Sequence, residues 1–253
     1  MSAEREADLI PGGDAKERFV RRLFAAIAPT YDIMNVVMSA GCICLWHRAF
    51  RRHTGLGAGD RALDVCTGTG ELARIMARQV GPGGQVVGLD LTPEMLEIAR
   101  RKLAAAGLDR VVTLVEGNAL RLPFPDASFK AASIGFALRN VADIGRVIGE
   151  MARVVEPGGR VLSLELSRPP SRLVRAPYFF YFYRVVPLLG RLVDRSAGQV
   201  GPMRPYTYLP ASLVKFPDQE TVARIFREAG LVNVRYYGLT GGIVTLHVGE
   251  RPA

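Results

Sequence analysis

The chemistry-bearing residues begin with the run Leu63-Asp64-Val65-Cys66-Thr67-Gly68-Thr69-Gly70-Glu71, which joins an apolar stretch to a helical pattern. Glycines there let the backbone approach a bound molecule, and the start of the helix offers free N–H groups. Asp90 closes the next apolar run, twenty residues after Gly70. A carboxylate so placed can accept both hydroxyls of a ribose. The pattern Gly68-x-Gly70-x-x-Ala73 also fits the dinucleotide fingerprint, which is weak evidence alone. A pyrophosphate in this loop would face Asp64 and Glu71, two anions beside an anion. A zwitterionic amino acid suits it better: Asp64 takes the ammonium, directly or through water, and the loop N–H groups take the carboxylate. An amino acid on one side and a ribose on the other describe S-adenosylmethionine. A dinucleotide, or a plain tight turn capped by Asp64, is the competing reading.

Two further segments belong to the same end of such a structure. Glu116-Gly117-Asn118-Ala119 follows the third apolar run, where an adenine would lie; Asn118 either bonds its exocyclic amine or is an ordinary turn residue. Ile134-Gly135-Phe136-Ala137-Leu138-Arg139-Asn140-Val141 ends the fourth run. An Arg and an Asn side by side after an apolar run are unusual for plain packing, although a surface Arg is the alternative. Tyr31, Tyr206 and Tyr208 are candidates to close the site, against a role as ordinary core aromatics. His47 and His53 sit among Arg48, Arg51 and Arg52 and read as a solvated helix face, and His247 lies in the last apolar run.

The elements that position these residues alternate. Residues 62–66, 85–91, 111–115, 129–136 and 160–166 read as buried strands, and 71–80, 93–106 and 142–155 as helices. Thr92 N-caps the second helix, with Pro93 at its first position and Gly107 beyond its end. Residues 218–230 read as one more helix, followed by strands at 232–239 and 243–250 with Gly241-Gly242 between them. This rhythm predicts an α/β fold: a mostly parallel sheet, helices on both faces and an antiparallel last strand.

Composition narrows the class. The chain has 253 residues, 49% of them hydrophobic, which excludes disorder and low complexity. Its three Cys have neither disulfide nor zinc spacing, so no metal is expected and a reducing cytoplasm is the plain reading. The acidic first residues do not read as a signal or transit peptide. The net charge of +9 suggests nucleic acid until it is located. Residues 56–167 are neutral, whereas 168–217 carry +7 together with Tyr178-Phe179-Phe180-Tyr181-Phe182-Tyr183. Charge concentrated in one aromatic insert, with no aromatic–proline methylation motif, argues against a nucleic-acid partner.

LDVCTGTGE, GLDLTPEML, EGNALRLPFPDASF, IGFALRNVAD and YTYLPASLVKFPDQETV resemble the demethylmenaquinone and ubiquinone-biosynthesis C-methyltransferase family, and VRRLFAAIAPTYDIMNVVMSAG fits it too. The glycine loop and Asp90 mark methyltransferases in general; the specific signals are residues 136–140, APTYDIMN and YTYLPASLVKFPDQ. The resemblance implies a Rossmann-like class I fold with a seven-stranded sheet and S-adenosylmethionine as cofactor. By position, contacts to that cofactor would fall on Thr69, Asp90, Asn118, Ala119 and Gly135, beside Asp64, Gly68 and Gly70 from the loop itself. Cys66 stands where the general motif has a Gly, Gly135 where many members have Ser, and residues 41–46 replace a more basic stretch.

The implied reaction methylates a ring carbon of a reduced polyprenyl quinone, most directly demethylmenaquinol. The ubiquinone-pathway benzoquinol, or another small-molecule acceptor, is the alternative. Arg139 is expected to stabilise the developing phenolate, since Arg stays protonated and is no base; Asn140 is expected to hold the second oxygen. Residues 1–55 would form a helical cap, 56–253 the methyltransferase domain, and 168–217 a lid. A lipid-tailed substrate gives that basic, aromatic lid a job at an anionic membrane surface, so a peripheral position on the inner membrane face is expected. Packing of its aromatics onto the core is the plainer alternative.

Overall fold

The computed structural model describes residues 3–193 and 198–253. Seven strands form one sheet: β1 (Arg61–Val65), β2 (Gln85–Asp90), β3 (Val112–Glu116), β4 (Phe129–Gly135), β5 (Val155–Leu166), β6 (Val232–Leu239) and β7 (Val244–Glu250). Their order is β3-β2-β1-β4-β5-β7-β6. Strands β1 to β5 pair in parallel, and β7 runs antiparallel to both β5 and β6. The antiparallel last strand and the β6–β7 hairpin are therefore as the sequence predicts. Chain order reverses between β1 and β4, so the loops after their C-terminal ends diverge and leave a crevice, the usual ligand position in such sheets.

Four helices precede β1: α1 (Ala3–Asp8), α2 (Gly13–Ile27), α3 (Tyr31–Met38) and α4 (Ile43–His53). The crossovers are α5 (Glu71–Val80), α6 (Pro93–Ala105) and α7 (Ile144–Val154), with α11 (Gln219–Glu228) before the hairpin. Each presents one apolar face to the sheet, and the strands between are almost wholly buried. Asp143 and Asp218 cap α7 and α11 by accepting the N–H groups of Arg146 (2.9 Å) and Thr221 (2.8 Å). Strand β5 begins at Val155, five residues before the expected start, because Val155 pairs with Phe129 across an irregularity in register.

The insert at 168–217 is helical where Pro and Arg suggested only a break in rhythm. It holds α8 (Arg172–Phe180), a π-turn over Tyr181–Val185, α9 (Val186–Val193) and α10 (Pro205–Lys215). Pro205 occupies the first turn of α10, where its missing N–H costs nothing, while Pro177 and Pro210 lie inside helices. A second apolar cluster joins α2 and α3 to α10 through Phe19, Leu23, Met34 and Tyr208. Residues 194 and 195 of the charged insert lie outside the described residues.

Candidate active site

Three cavities meet at the crevice. One of about 110 Å³ is lined by Gly68, Asp90, Asn118, Ala119, Gly135 and Asn140. A smaller one of about 50 Å³ is lined by Asp64, Thr69, Glu71, His47 and Asn35. The third, about 330 Å³, is walled by apolar and aromatic side chains from α2, α3, α4, α8 and α10. Tyr31 and Phe136 border all three. Phe136 and Cys66 end adjacent strands with φ near +53° and +55°, a left-handed conformation that is strained for side chains of this kind. At Cys66 the strain falls where the general loop pattern has glycine.

The loop after β1 is built around two buried carboxylates. Asp64 accepts hydrogen bonds from Thr67 Oγ1 (2.7 Å), Ser133 Oγ (2.8 Å) and the Ala73 N–H (3.0 Å). Burial nevertheless raises its pKa to about 6. Asp90 accepts the N–H groups of Gly68 and Thr92, each at 2.8 Å, and burial raises it as well. Gly68 and Gly70 both take positive φ, and a Cβ on Gly70 would press on Ala99 at 3.2 Å. At Gly135 a Cβ would come within 2.5 Å of Leu72 Cδ1, so a Ser at this position would require the Leu72 side chain to move.

Sequence reasoning missed how the N-terminal helices engage these loops. From α2, Lys16 Nζ donates to the carbonyls of Arg139 (3.1 Å) and Val141 (2.7 Å) beyond β4. The next residue, Glu17, accepts from Asn118 Nδ2 (3.0 Å) beyond β3, while Asn118 Oδ1 takes the Leu120 N–H. From α3, Asp32 accepts Thr69 Oγ1 (2.6 Å) beyond β1 and pairs with Lys102 of α6 (2.5 Å). The loops after β1, β3 and β4 are thus pinned by one strap. These partners are 37 to 125 residues apart in the chain, and no local pattern announces them.

Arg139 is buried, its guanidinium held by Glu165 Oε1 (2.5 Å) and the Phe136 carbonyl (2.7 Å). Glu165 also accepts the backbone N–H groups of Arg139 and Leu166. Glu165 is a second residue the sequence reading missed. A charged residue inside the apolar run VLSLEL needs a buried partner, and that was its signal. Asn140 departs from expectation: it borders the 110 Å³ cavity rather than the large one, and its amide is engaged by Tyr208 Oη (3.0 Å) and the Phe136 carbonyl (3.3 Å). Tyr31, Tyr206 and Tyr208 all reach the large cavity. His47 corrects another expectation. It faces the small cavity beside Glu71 instead of a solvated surface, and burial lowers its pKa. His247 packs against Phe226 and Tyr236 and borders none of these cavities.

The model of the ubiE/COQ5 methyltransferase family matches residues 13–251. The chain belongs to that family. This methyltransferase is 45% identical to the demethylmenaquinone methyltransferase of Symbiobacterium thermophilum, over 95% of this chain and 96% of the relative. It is 42% identical to the ubiquinone/menaquinone biosynthesis C-methyltransferase of Pseudomonas paraeruginosa, over 94% and 90%. Among solved structures it is similar to an S-adenosylmethionine-dependent methyltransferase from Aquifex aeolicus: TM-score 0.58 and 19% identity, over 81% of this chain and 89% of that one. The methyltransferase is S-adenosylmethionine-dependent, with the Rossmann-like sheet that the sequence predicts. Among the described residues no single helix is long and apolar enough to cross a membrane, although α2–α3 and α4 pass that test as a pair bent by 96°.

Proposed function

We propose that this methyltransferase methylates a ring carbon of a polyprenyl quinol, with demethylmenaquinol as the first substrate. The observation that carries this reading is the 330 Å³ cavity, whose lining among the described residues holds a single charged side chain, Arg139, among mostly apolar and aromatic neighbours. A flat, lipid-tailed ring fits such walls, and one buried cation suits an acceptor that becomes anionic as it reacts. The names of the two relatives point to the same class of substrate.

The two smaller cavities suit the cofactor. Their carboxylates, Asp64 near one end and Asp90 near the other, favour a cationic amino acid and a ribose and disfavour a pyrophosphate. In this reading Gly68, Thr69 and Gly70 bound the amino-acid end, with Asn118, Ala119 and Gly135 around the adenosine. The cofactor supplies a methyl group on a sulfonium whose sulfur leaves as a neutral thioether. Phe136 and Tyr31, shared by all three cavities, orient the ring against that methyl, and alignment of this kind is worth several kcal/mol. Arg139 stabilises the oxygen beside the attacked carbon as its proton passes to water. The carbon's π-electrons form the new bond, and the ring hydrogen leaves as a second proton while the oxygen is reprotonated, so one proton is released overall. Asn140 acts by holding Tyr208 and the Phe136 carbonyl in place.

Cofactor affinity follows the protonation of Asp64. With a pKa of about 6, its carboxylate is ionised above that pH and meets the ligand's ammonium at full strength. Below it the charge is lost, so affinity for S-adenosylhomocysteine is expected to fall about tenfold per pH unit between roughly pH 6 and pH 5. His47, the other titratable group of ordinary pKa near this range in the small cavity, is pushed down by burial. Calorimetry across that range checks the slope; a flat profile removes Asp64 from ammonium binding.

Membrane contact and the lid belong to the same proposal. Helices α3, α4 and α8, whose inner residues line the large cavity, expose Ile33 (60%), Leu45 (62%), Leu173 (88%) and Phe180 (67%) outward. Arg48, Arg172 and Arg184 are exposed on the same helices and the π-turn. Apolar tips among Arg side chains suit an anionic bilayer from which the substrate's tail need not fully leave. Salt-sensitive flotation with anionic vesicles is expected, and absence of binding refutes the contact. The reaction itself is tested by incubating the enzyme with S-adenosylmethionine and each reduced quinone. Faster methylation of the naphthoquinol supports the substrate named here, and faster methylation of the benzoquinol supports the second reading drawn from the Pseudomonas relative's name.

A further inference from the structure

Five tyrosines border the large cavity: Tyr31, Tyr178, Tyr181, Tyr206 and Tyr208. Four have hydroxyl partners within the protein. Tyr31 bonds with Asn35, Tyr181 donates to the Met38 carbonyl (3.2 Å), Tyr206 meets Thr30 Oγ1 (3.3 Å) and Tyr208 donates to Asn140 Oδ1 (3.0 Å). Tyr178 differs: its Oη is buried with no partner among the described residues. The residue is 7% exposed and lines the cavity. Arg139 Nε is buried and unpartnered among the described residues as well, although Nη1 of that guanidinium donates to Glu165 and to the Phe136 carbonyl. Two unsatisfied donors on residues that line one cavity cost folding free energy, and a ligand that supplies the missing acceptor as it binds is one reason for a fold to retain them.

The local backbone fits the same account. A π-turn over Tyr181–Val185 follows α8, three residues after Tyr178, and such turns occur frequently at functional sites. With it, Tyr178, Tyr181 and Phe182 all reach the cavity. The Tyr178 ring is fixed by stacking on Phe182 at 5.2 Å and by Phe179 at 5.5 Å. The Arg139 charge acts on Tyr178, which places the two groups in one electrostatic neighbourhood.

We propose that Tyr178 Oη is a catalytic hydrogen-bond donor that, with Arg139 Nε, forms a two-pronged anion hole for the acceptor oxygen next to the methylated carbon. This rests on the quinol reading above and adds to it the residue that shares the developing charge. Burial raises the Tyr178 pKa, so the hydroxyl keeps its proton and serves as a donor rather than a base. The charged and titratable groups that act on it are Arg139, Tyr183 and Glu165.

Tyr178→Phe tests this in the full-length enzyme, because it removes one oxygen atom and keeps the ring. With demethylmenaquinol as acceptor, kcat is expected to fall about 10²-fold. Affinity for S-adenosylhomocysteine should be unchanged, and Tm equal or higher, since an unpaired buried hydroxyl is gone. The midpoint of the kcat–pH profile should move to higher pH, because the bound hydroxyl ionises less readily without its second donor. Wild-type kcat in the variant overturns the proposal, and so does a loss of kcat that comes with lower Tm or weaker cofactor binding, the mark of a structural role. A wild-type enzyme inert toward the quinol overturns the substrate reading together with this inference, whereas an active wild type with an equally active variant overturns this inference alone.

Discussion

Replacing Arg139 with alanine is expected to lower kcat by about 10³-fold while affinity for S-adenosylhomocysteine stays near wild type. The size follows from the setting: among the described residues Arg139 is the one charged side chain on the wall of a mostly apolar and aromatic cavity, 7% exposed and screened little by water. Removing one donor to a developing oxyanion in such surroundings typically costs 10²–10³ in rate, and loss of a full charge belongs at the upper end. Cofactor affinity is spared because Arg139 borders the large cavity and neither of the smaller two. The substitution also strands Glu165, so a second variant separates charge from fold. Arg139→Met combined with Glu165→Leu replaces both ions by apolar groups, a change that is often neutral for stability. It still frees the two backbone N–H groups that Glu165 accepts but strands no charge, so its Tm should fall less than that of Glu165→Ala, and it should remain inactive. Turnover near wild type in that double variant would contradict the role given to Arg139.

Glu165→Ala carries the second large effect, this time on stability. It leaves the Arg139 guanidinium buried with only the Phe136 carbonyl as partner and frees two backbone N–H groups, those of Arg139 and Leu166. Breaking a buried pair from one side costs roughly 3–5 kcal/mol. For a chain of this size that lowers Tm by about 10 °C. Glu165→Gln keeps the shape and an acceptor, and should lose less of both Tm and kcat. Thermal unfolding followed by circular dichroism measures the difference; an unchanged Tm for Glu165→Ala would mean that Arg139 is satisfied elsewhere.

How much of this is legible in the amino-acid sequence depends on how local the signal is. Helix 71–80 and the strand at 232–239 coincide with the observed elements, and β2 and β4 differ from expectation by one residue, because short apolar runs bounded by Gly, Pro and Asp state their own limits. The loop residues Asp64, Gly68, Thr69, Gly70, Asp90, Asn118 and Gly135 come together around two connected cavities for the same reason: each ends a strand of a parallel sheet. The strap was not legible. Lys16, Glu17 and Asp32 read as charges on an ordinary helix surface, and only the tertiary fold carries them to the loops after β4, β3 and β1. The helices of 168–217 were hidden by prolines that read as breaks, although Pro205 starts α10 and Pro177 and Pro210 are absorbed within helices. Asn140 lay next to Arg139 in sequence and was given a substrate contact on that ground. One residue of rotation turns it to the 110 Å³ cavity instead, against Tyr208.

The net positive charge also changed meaning with position. The described part of the basic insert is helical and supplies Tyr178, Tyr181 and Phe182 to the inside of the cavity while Arg172 and Arg184 remain outside. One segment thus serves a buried ring and a charged surface, as expected of an element between a soluble cofactor and a lipid-borne acceptor.

The central claim is that one buried cation and an apolar cavity direct a methyl group onto a ring carbon. The most direct test gives the enzyme reduced demethylmenaquinone and S-adenosylmethionine carrying a deuterated methyl group, then locates the label in the product by NMR. Label on the ring carbon next to a hydroxyl, absent with the Arg139→Met, Glu165→Leu double variant, is the predicted result. Label on oxygen, or no transfer to the quinol at all, would contradict the account.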